Sequence, residues 1–249
     1  METKVNRYQA ELRTLQDWDA YLLAESGLPG PRGNIELAQA VATEGDRERF
    51  ERYVAYTAEV APVNSPYEYL AFCGILGLGR LLAEGDCSLL VALRGHASDP
   101  RWRVREAVAM ALQELGDVDM GRLVGAMRGW ATGTPLEQRA AAAALCEPRL
   151  LRETEHVRAT LDLLDLITAS IEHVRDRRSE DFRALRKGLG YCWSVAVVAL
   201  PNDGRRLMEK WCASTDRDIL WIIRENLKKA RLARMDHEWV SQPRTKVEG

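Results

Sequence analysis

Asp99-Pro100-Arg101-Trp102-Arg103-Val104-Arg105-Glu106-Ala107-Val108-Ala109-Met110-Ala111-Leu112-Gln113-Glu114-Leu115-Gly116-Asp117 decides how the chain is read. Asp-Pro is a helix-start signal, because the aspartate oxygen accepts from the first unpaired amides and proline tolerates the first helical position. Val104, Val108, Ala111 and Leu115 then recur at steps of 4, 3 and 4, which places them on one stripe of a helix. Similar starts stand at Ser65-Pro66-Tyr67-Glu68, Thr134-Pro135-Leu136-Glu137, Ser179-Glu180-Asp181 and Asp216-Arg217-Asp218, where Glu68 and Glu137 can complete capping boxes. Successive capping residues are 34, 35, 45 and 37 residues apart. That is the period of stacked two-helix units, each of which buries its apolar face against its neighbours.

Working outward, a first helix is expected from near Val5 to Glu25, and Asn34 opens a short one that stops at Gly45. Residues 1–45 form an N-terminal helical cap. Five helix pairs then fill 46–235: 47–60 with 66–84, 87–95 with 100–115, 118–131 with 135–146, 154–176 with 180–200, and 203–213 with 217–235. The tail 236–249 is expected to be frayed or loosely docked. No stretch alternates at period two and no linker or low-complexity run divides the chain, so 1–249 reads as a single all-α domain.

The composition is globular, with 46% hydrophobic and 29% charged residues, and the formal net charge is −2. This balance weighs against indiscriminate nucleic-acid binding, yet it conceals a polarity. Residues 1–150 carry 16 Lys+Arg against 21 Asp+Glu, and 151–249 carry 19 against 16, so the C-terminal part is the basic one. Cys73, Cys87, Cys146, Cys192 and Cys212 have no paired short spacing and read as buried free thiols of a reducing, cytoplasmic setting. Met1-Glu2-Thr3-Lys4-Val5 lacks a signal peptide's apolar stretch, and no apolar run approaches the roughly 20 residues that a membrane span needs.

The quoted stretch resembles the HEAT repeat, whose second helix opens with Asp-Pro, continues Val-Arg with alanines at close-packing positions, and ends Leu-Gly-Asp. Thr134 to Cys146 is a weaker copy. The resemblance implies a right-handed α-α superhelix of about five to six helix pairs, with second helices lining a concave face that binds a protein or nucleic acid. Asp99-x-x-Trp102-x-x-Arg105-Glu106 recurs as Asp218-x-x-Trp221-x-x-Arg224-Glu225, displaced by 119 residues. Repeat packing explains the recurrence, and so does a ligand role for its side chains.

On the last expected helix, Arg217, Trp221, Arg224, Lys228 and Arg231 follow at steps of 4, 3, 4 and 3 and share a face. Arg183, Arg186, Gly190 and Trp193 do so on the preceding second helix, and Lys187 adjoins them. Cations interleaved with indoles suit phosphates and exposed bases. With Trp102 and Arg105, these are the candidate binding residues. Catalytic signals are absent: there is no Gly-x-Ser-x-Gly elbow, P-loop or dinucleotide fingerprint, and His96, His156, His173 and His237 lack ligand spacing. No cofactor or metal is expected, and nothing in the sequence sets an oligomeric state. Gly74-x-x-Gly77-x-Gly79 reads as permitting close helix approach, and Asp162 with Asp165 as a solvated face.

Lys187-Gly188-Leu189-Gly190-Tyr191-Cys192-Trp193 is similar to the Lys-x-x-Gly-Trp segment of the AlkD-type DNA alkylation repair glycosylases, with the tryptophan two residues later. That resemblance implies a basic cleft for DNA, with tryptophans beside an essential carboxylate. At the family's spacing, Trp102/Glu106 and Trp221/Glu225 are the pairs this sequence offers.

Overall fold

In a computed structural model, residues 3–248 are described, with side chains through residue 242. They form fifteen α-helices and one 3-10 turn, with no strand among the described residues. The chain divides into two compact units, Met1–Val118 and Asp119–Gly249, although nothing in the composition marks that position as a boundary.

The first unit holds α1 (Lys4–Thr14), α2 (Asp19–Glu25), α3 (Ile35–Glu44), α4 (Arg47–Val54), α5 (Pro66–Ala83), α6 (Leu89–His96) and α7 (Trp102–Val118). The single first helix expected to reach Glu25 is two helices. Leu15 turns to extended backbone, Asp17 accepts from the Asp19 amide, and the buried Trp18 indole donates 3.0 Å to the Leu12 carbonyl, pinning the corner. The centre of the unit is α5, which is buried nearly all round and packs on α2, α3, α4, α6 and α7. Its glycines allow this. A Cβ at Gly74 would stand 2.9 Å from the α4 backbone, and one at Gly79 would stand 2.5 Å from Ala111 of α7.

The second unit holds α8 (Met120–Ala131), α9 (Pro135–Leu145), α10 (Thr154–Ser170), the 3-10 turn Ile171–His173, α11 (Glu180–Ala199), α12 (Pro201–Cys212), α13 (Arg217–Leu227), α14 (Ala230–Met235) and α15 (His237–Glu248). Consecutive helices pair as α8 with α9, α10 with α11 and α12 with α13. The first members pack on each other, α8 on α10 on α12, and so do the second members, α9 on α11 on α13. This unit therefore has two helical layers. The buried Asn226 ties the second layer together: its Oδ1 accepts from the Ser194 amide at 2.8 Å, and its Nδ2 donates to the Leu189 carbonyl at 2.8 Å.

The capping signals work as their chemistry dictates. Ser65, Thr134, Ser179 and Asp216 accept from amides of the first helical turn, and Thr134 with Glu137 completes a capping box. Two depart from expectation. Glu68 reaches back to the Asn64 amide rather than to Ser65, and Asp99 stands three residues before α7, where its carboxylate binds the Arg101 amide and guanidinium. The start of the tail is docked: Trp239 and Val240 of α15 are buried, and the Trp239 indole donates 2.7 Å to Glu209, while the side chains from residue 243 on lie outside the described residues. Four cysteines are buried and Cys87 is exposed. No helix among the described residues is long and apolar enough to cross a membrane.

Candidate phosphate-binding groove

Two adjoining hollows lie on the second unit, of about 690 and 550 Å³, and share Arg186 and Trp221. Helices α11 and α13 supply Arg183, Arg186 and Lys187 from one and Arg217, Trp221 and Arg224 from the other. The turn between α10 and α11 adds Arg175, Arg177 and Arg178, and Lys229 closes the far end. Nine cations thus face three carboxylates, Asp176, Asp218 and Glu225. An excess of one sign of charge along a low-dielectric wall concentrates the opposite sign, here anions.

Trp221 is the shared floor. It is half-buried, with its ring edge on Gly190 of α11, where a Cβ would approach Cζ3 to 3.2 Å. The Arg186 guanidinium lies over the indole, 3.9 Å from Cζ to the ring centroid. Tyr191 is exposed and carries Arg231 at 4.6 Å and Lys229 at 5.8 Å from its ring centroid. Aromatic faces flanked by cations are platforms on which a base can stack.

Two of the carboxylates are engaged by cations, and the third, Asp176, accepts from the Arg178 amide at 3.0 Å. Asp218, buried at the start of α13, lies 3.0 Å from both Arg177 Nη1 and Arg186 Nε, and Glu225 pairs with Lys228 at 2.6 Å. The Arg186 Nε–H is misaligned with its oxygen and makes no hydrogen bond. Arg177 also pairs with Asp216, and this holds the Asp216 carboxyl below the usual aspartate range against the opposing effect of burial. In contrast, Arg175, Arg178, Lys187 and Arg217 are exposed and form no ion pair among the described residues.

Of the residues read from sequence, Arg183, Arg186, Lys187, Arg217, Trp221 and Arg224 meet in this groove, with Arg231 beside it on Tyr191. Trp193 does not. It is fully buried, and its indole donates 3.0 Å to Thr168, because position 193 faces α10 rather than α13. The continuous face from Arg217 to Arg231 is also interrupted. Lys229 takes an extended conformation between α13 and α14, so Lys228 caps one helix and Arg231 belongs to the next.

Trp102 and Arg105 belong to the first unit, where Arg105 turns back to donate to the carbonyls of Asp99 and Pro100. The paired motif is not a register repeat, since Asp99 precedes its helix and Asp218 lies inside the first turn of its own. What the two copies share is a guanidinium over an indole, with Arg103 4.4 Å from the Trp102 ring centroid. Asp165, read as solvated, binds Lys210 and the Trp211 indole, each at 2.8 Å.

Arg175, Arg177 and Arg178 are not among the residues expected from the sequence, because the helix expected over 154–176 ends at Ser170 and leaves them in a turn. The signal was the 45-residue spacing between Thr134 and Ser179, the longest in the series, with the run Arg175-Asp176-Arg177-Arg178 inside it. Extra length there breaks the helix and turns three arginines into the groove. Comparison with protein-family models finds none that matches the chain, and comparison with curated proteins finds no match.

Proposed function

We propose that this chain is a HEAT-like helical interaction module whose second unit binds nucleic acid through its phosphates. The observation that carries the reading is the groove on α11 and α13, with its excess of cations around a tryptophan floor. The stacking of first on first and second on second helices supports the repeat architecture, and it places the groove on the second-helix layer, where such arrays bind partners. Binding without base excision is favoured, because the two carboxylates next to Trp221 are engaged, Asp218 by two arginines and Glu225 by Lys228, and Asp176 lies in the turn before α11, where it accepts from the Arg178 amide.

The test is fluorescence anisotropy with labelled single-stranded and duplex oligonucleotides across a salt series. Each neutralised phosphate releases counterions, so log affinity should fall linearly with log salt. Arg178→Glu and Arg217→Glu should each weaken binding and flatten that slope. Unmeasurable affinity at low salt, or a slope unchanged by both reversals, overturns the phosphate assignment.

A further inference from the structure

The first unit encloses a hollow of a different chemistry. It has a volume of about 230 Å³ and is walled by Leu28, Ile35, Tyr69, Phe72, Trp102 and Met110. The rings of Tyr69 and Phe72 stack with centroids 6.3 Å apart and planes 9° from parallel. Trp102 borders it and stays 47% exposed, an unusual state for the largest apolar side chain.

Buried charge holds the wall in place. The irregular segment from Leu28 to Gly33 would be free to move if it were tied only at its ends, yet Arg103 donates to the Gly30 carbonyl at 2.5 Å and to Asn64 Oδ1 at 3.2 Å. Asn64 Oδ1 in turn accepts from the Gly30 amide at 3.0 Å, and the Tyr69 hydroxyl donates 2.7 Å to the Asn34 carbonyl. Arg103 is paired with Glu68 at 3.2 Å, and their side chains are 7% and 0% exposed. Such pairs seldom stabilise a fold more than apolar residues of the same size would, so what this one secures is position. It clamps the loop to α5 and α7 and shapes the pocket before any ligand arrives.

The pocket carries no field that selects an ion. Each charged lining group is already engaged: Arg103 with Glu68, Arg32 with Glu36 at 3.4 Å, and Glu106 is not free either. Bringing an ion against these apolar walls would cost its hydration, with only charges already engaged elsewhere to replace it. At the packing density of protein interiors, this volume holds about ten non-hydrogen atoms. The flat rings of Tyr69, Phe72 and Trp102 suit offset or edge-on aromatic contact.

We propose that this pocket binds a small, uncharged aromatic molecule. Indole is the probe, added to the full chain and followed by saturation-transfer NMR and calorimetry, with tryptamine and indole-3-acetate as its cationic and anionic relatives. Indole should bind, and each charged relative should bind at least tenfold more weakly. Ile35→Trp fills the cavity and should weaken indole binding at least tenfold with the melting temperature held or raised. Met110→Phe, a milder filling, gives the same reading if the first variant fails to fold. The proposal is overturned if indole does not bind, if a filled variant with a native melt binds it undiminished, or if a charged relative binds as well. A short tryptophan-containing peptide that binds more tightly than indole would reassign the pocket to a protein anchor and would also overturn it.

Discussion

The Arg186 guanidinium lies 3.9 Å over the Trp221 ring while its Nε stands 3.0 Å from Asp218, so one side chain joins the floor of the groove to the start of α13. The indole is held between that cation and the bare backbone of Gly190. Its position is therefore set by packing on one side and charge on the other, and it keeps exposed surface for a ligand.

This geometry separates two tryptophans that sequence spacing treated alike. Trp193 is fully enclosed, so Trp193→Ala should cost about 3–5 kcal/mol, as large core truncations do. Trp221→Ala removes a half-buried ring and should cost about 1–2 kcal/mol, well below a core truncation, while weakening oligonucleotide binding several-fold. Urea denaturation and anisotropy on the same preparations distinguish the two. Equal stability losses, or unchanged binding by Trp221→Ala, would show that the indole is structural only.

Gly190→Ala probes the same contact from below. Inside a helix the change gains about 0.5–1 kcal/mol in propensity. The new Cβ, however, meets Trp221 Cζ3 at 3.2 Å and must push the ring outward by a few tenths of an ångström. The indole is free on its solvent side, so stability should change by less than about 1 kcal/mol while affinity for the oligonucleotide falls. A clear stabilisation with full affinity would mean that the ring's position is irrelevant to binding.

The layered helices were legible in the sequence because capping is local: Ser65, Thr134, Ser179 and Asp216 open helices by hydrogen bonds that span three residues. Groove residues on those helices followed from periodicity, as Arg183, Arg186, Arg217, Trp221 and Arg224 show. Long-range effects were not legible. The break at Lys229, the burial of Trp193 against Thr168 and the inward turn of Arg177 onto Asp216 and Asp218 depend on partners 25 to 41 residues away or on a loop with no periodicity. The pocket in the first unit was hidden for the same reason, since Arg103 and Gly30 meet across 73 residues.

Acid should reveal the Arg177–Asp216 pair. The hydrogen bond from Arg177 lowers the Asp216 pKa in the folded chain, so in acid the unfolded chain binds more protons at this group. The stabilisation is complete above the ordinary aspartate value of about 3.9 and is lost as pH falls through the lower folded value. Asp216→Asn keeps a capping oxygen and loses the charge. The stability difference between wild type and variant should be constant from about pH 7 to 5 and shrink below about pH 4. A difference that persists unchanged to about pH 2 would deny the pair any role in acid stability.

Glu68 and Arg103 test whether buried charge in the first unit secures position. Glu68→Ala leaves the Arg103 guanidinium enclosed without its acid and should cost about 3–5 kcal/mol. In Glu68→Leu/Arg103→Met both charges are gone and the volume is largely kept, so the double variant should recover much of that loss. It cannot recover the hydrogen bond to the Gly30 carbonyl, so the segment from Leu28 to Gly33 should lose amide exchange protection and indole binding should weaken. Hydrogen exchange and indole titration on the double variant give the decisive comparison. A protein with recovered stability, a protected loop and undiminished indole affinity would show that the ion pair neither fixes the wall nor shapes the pocket.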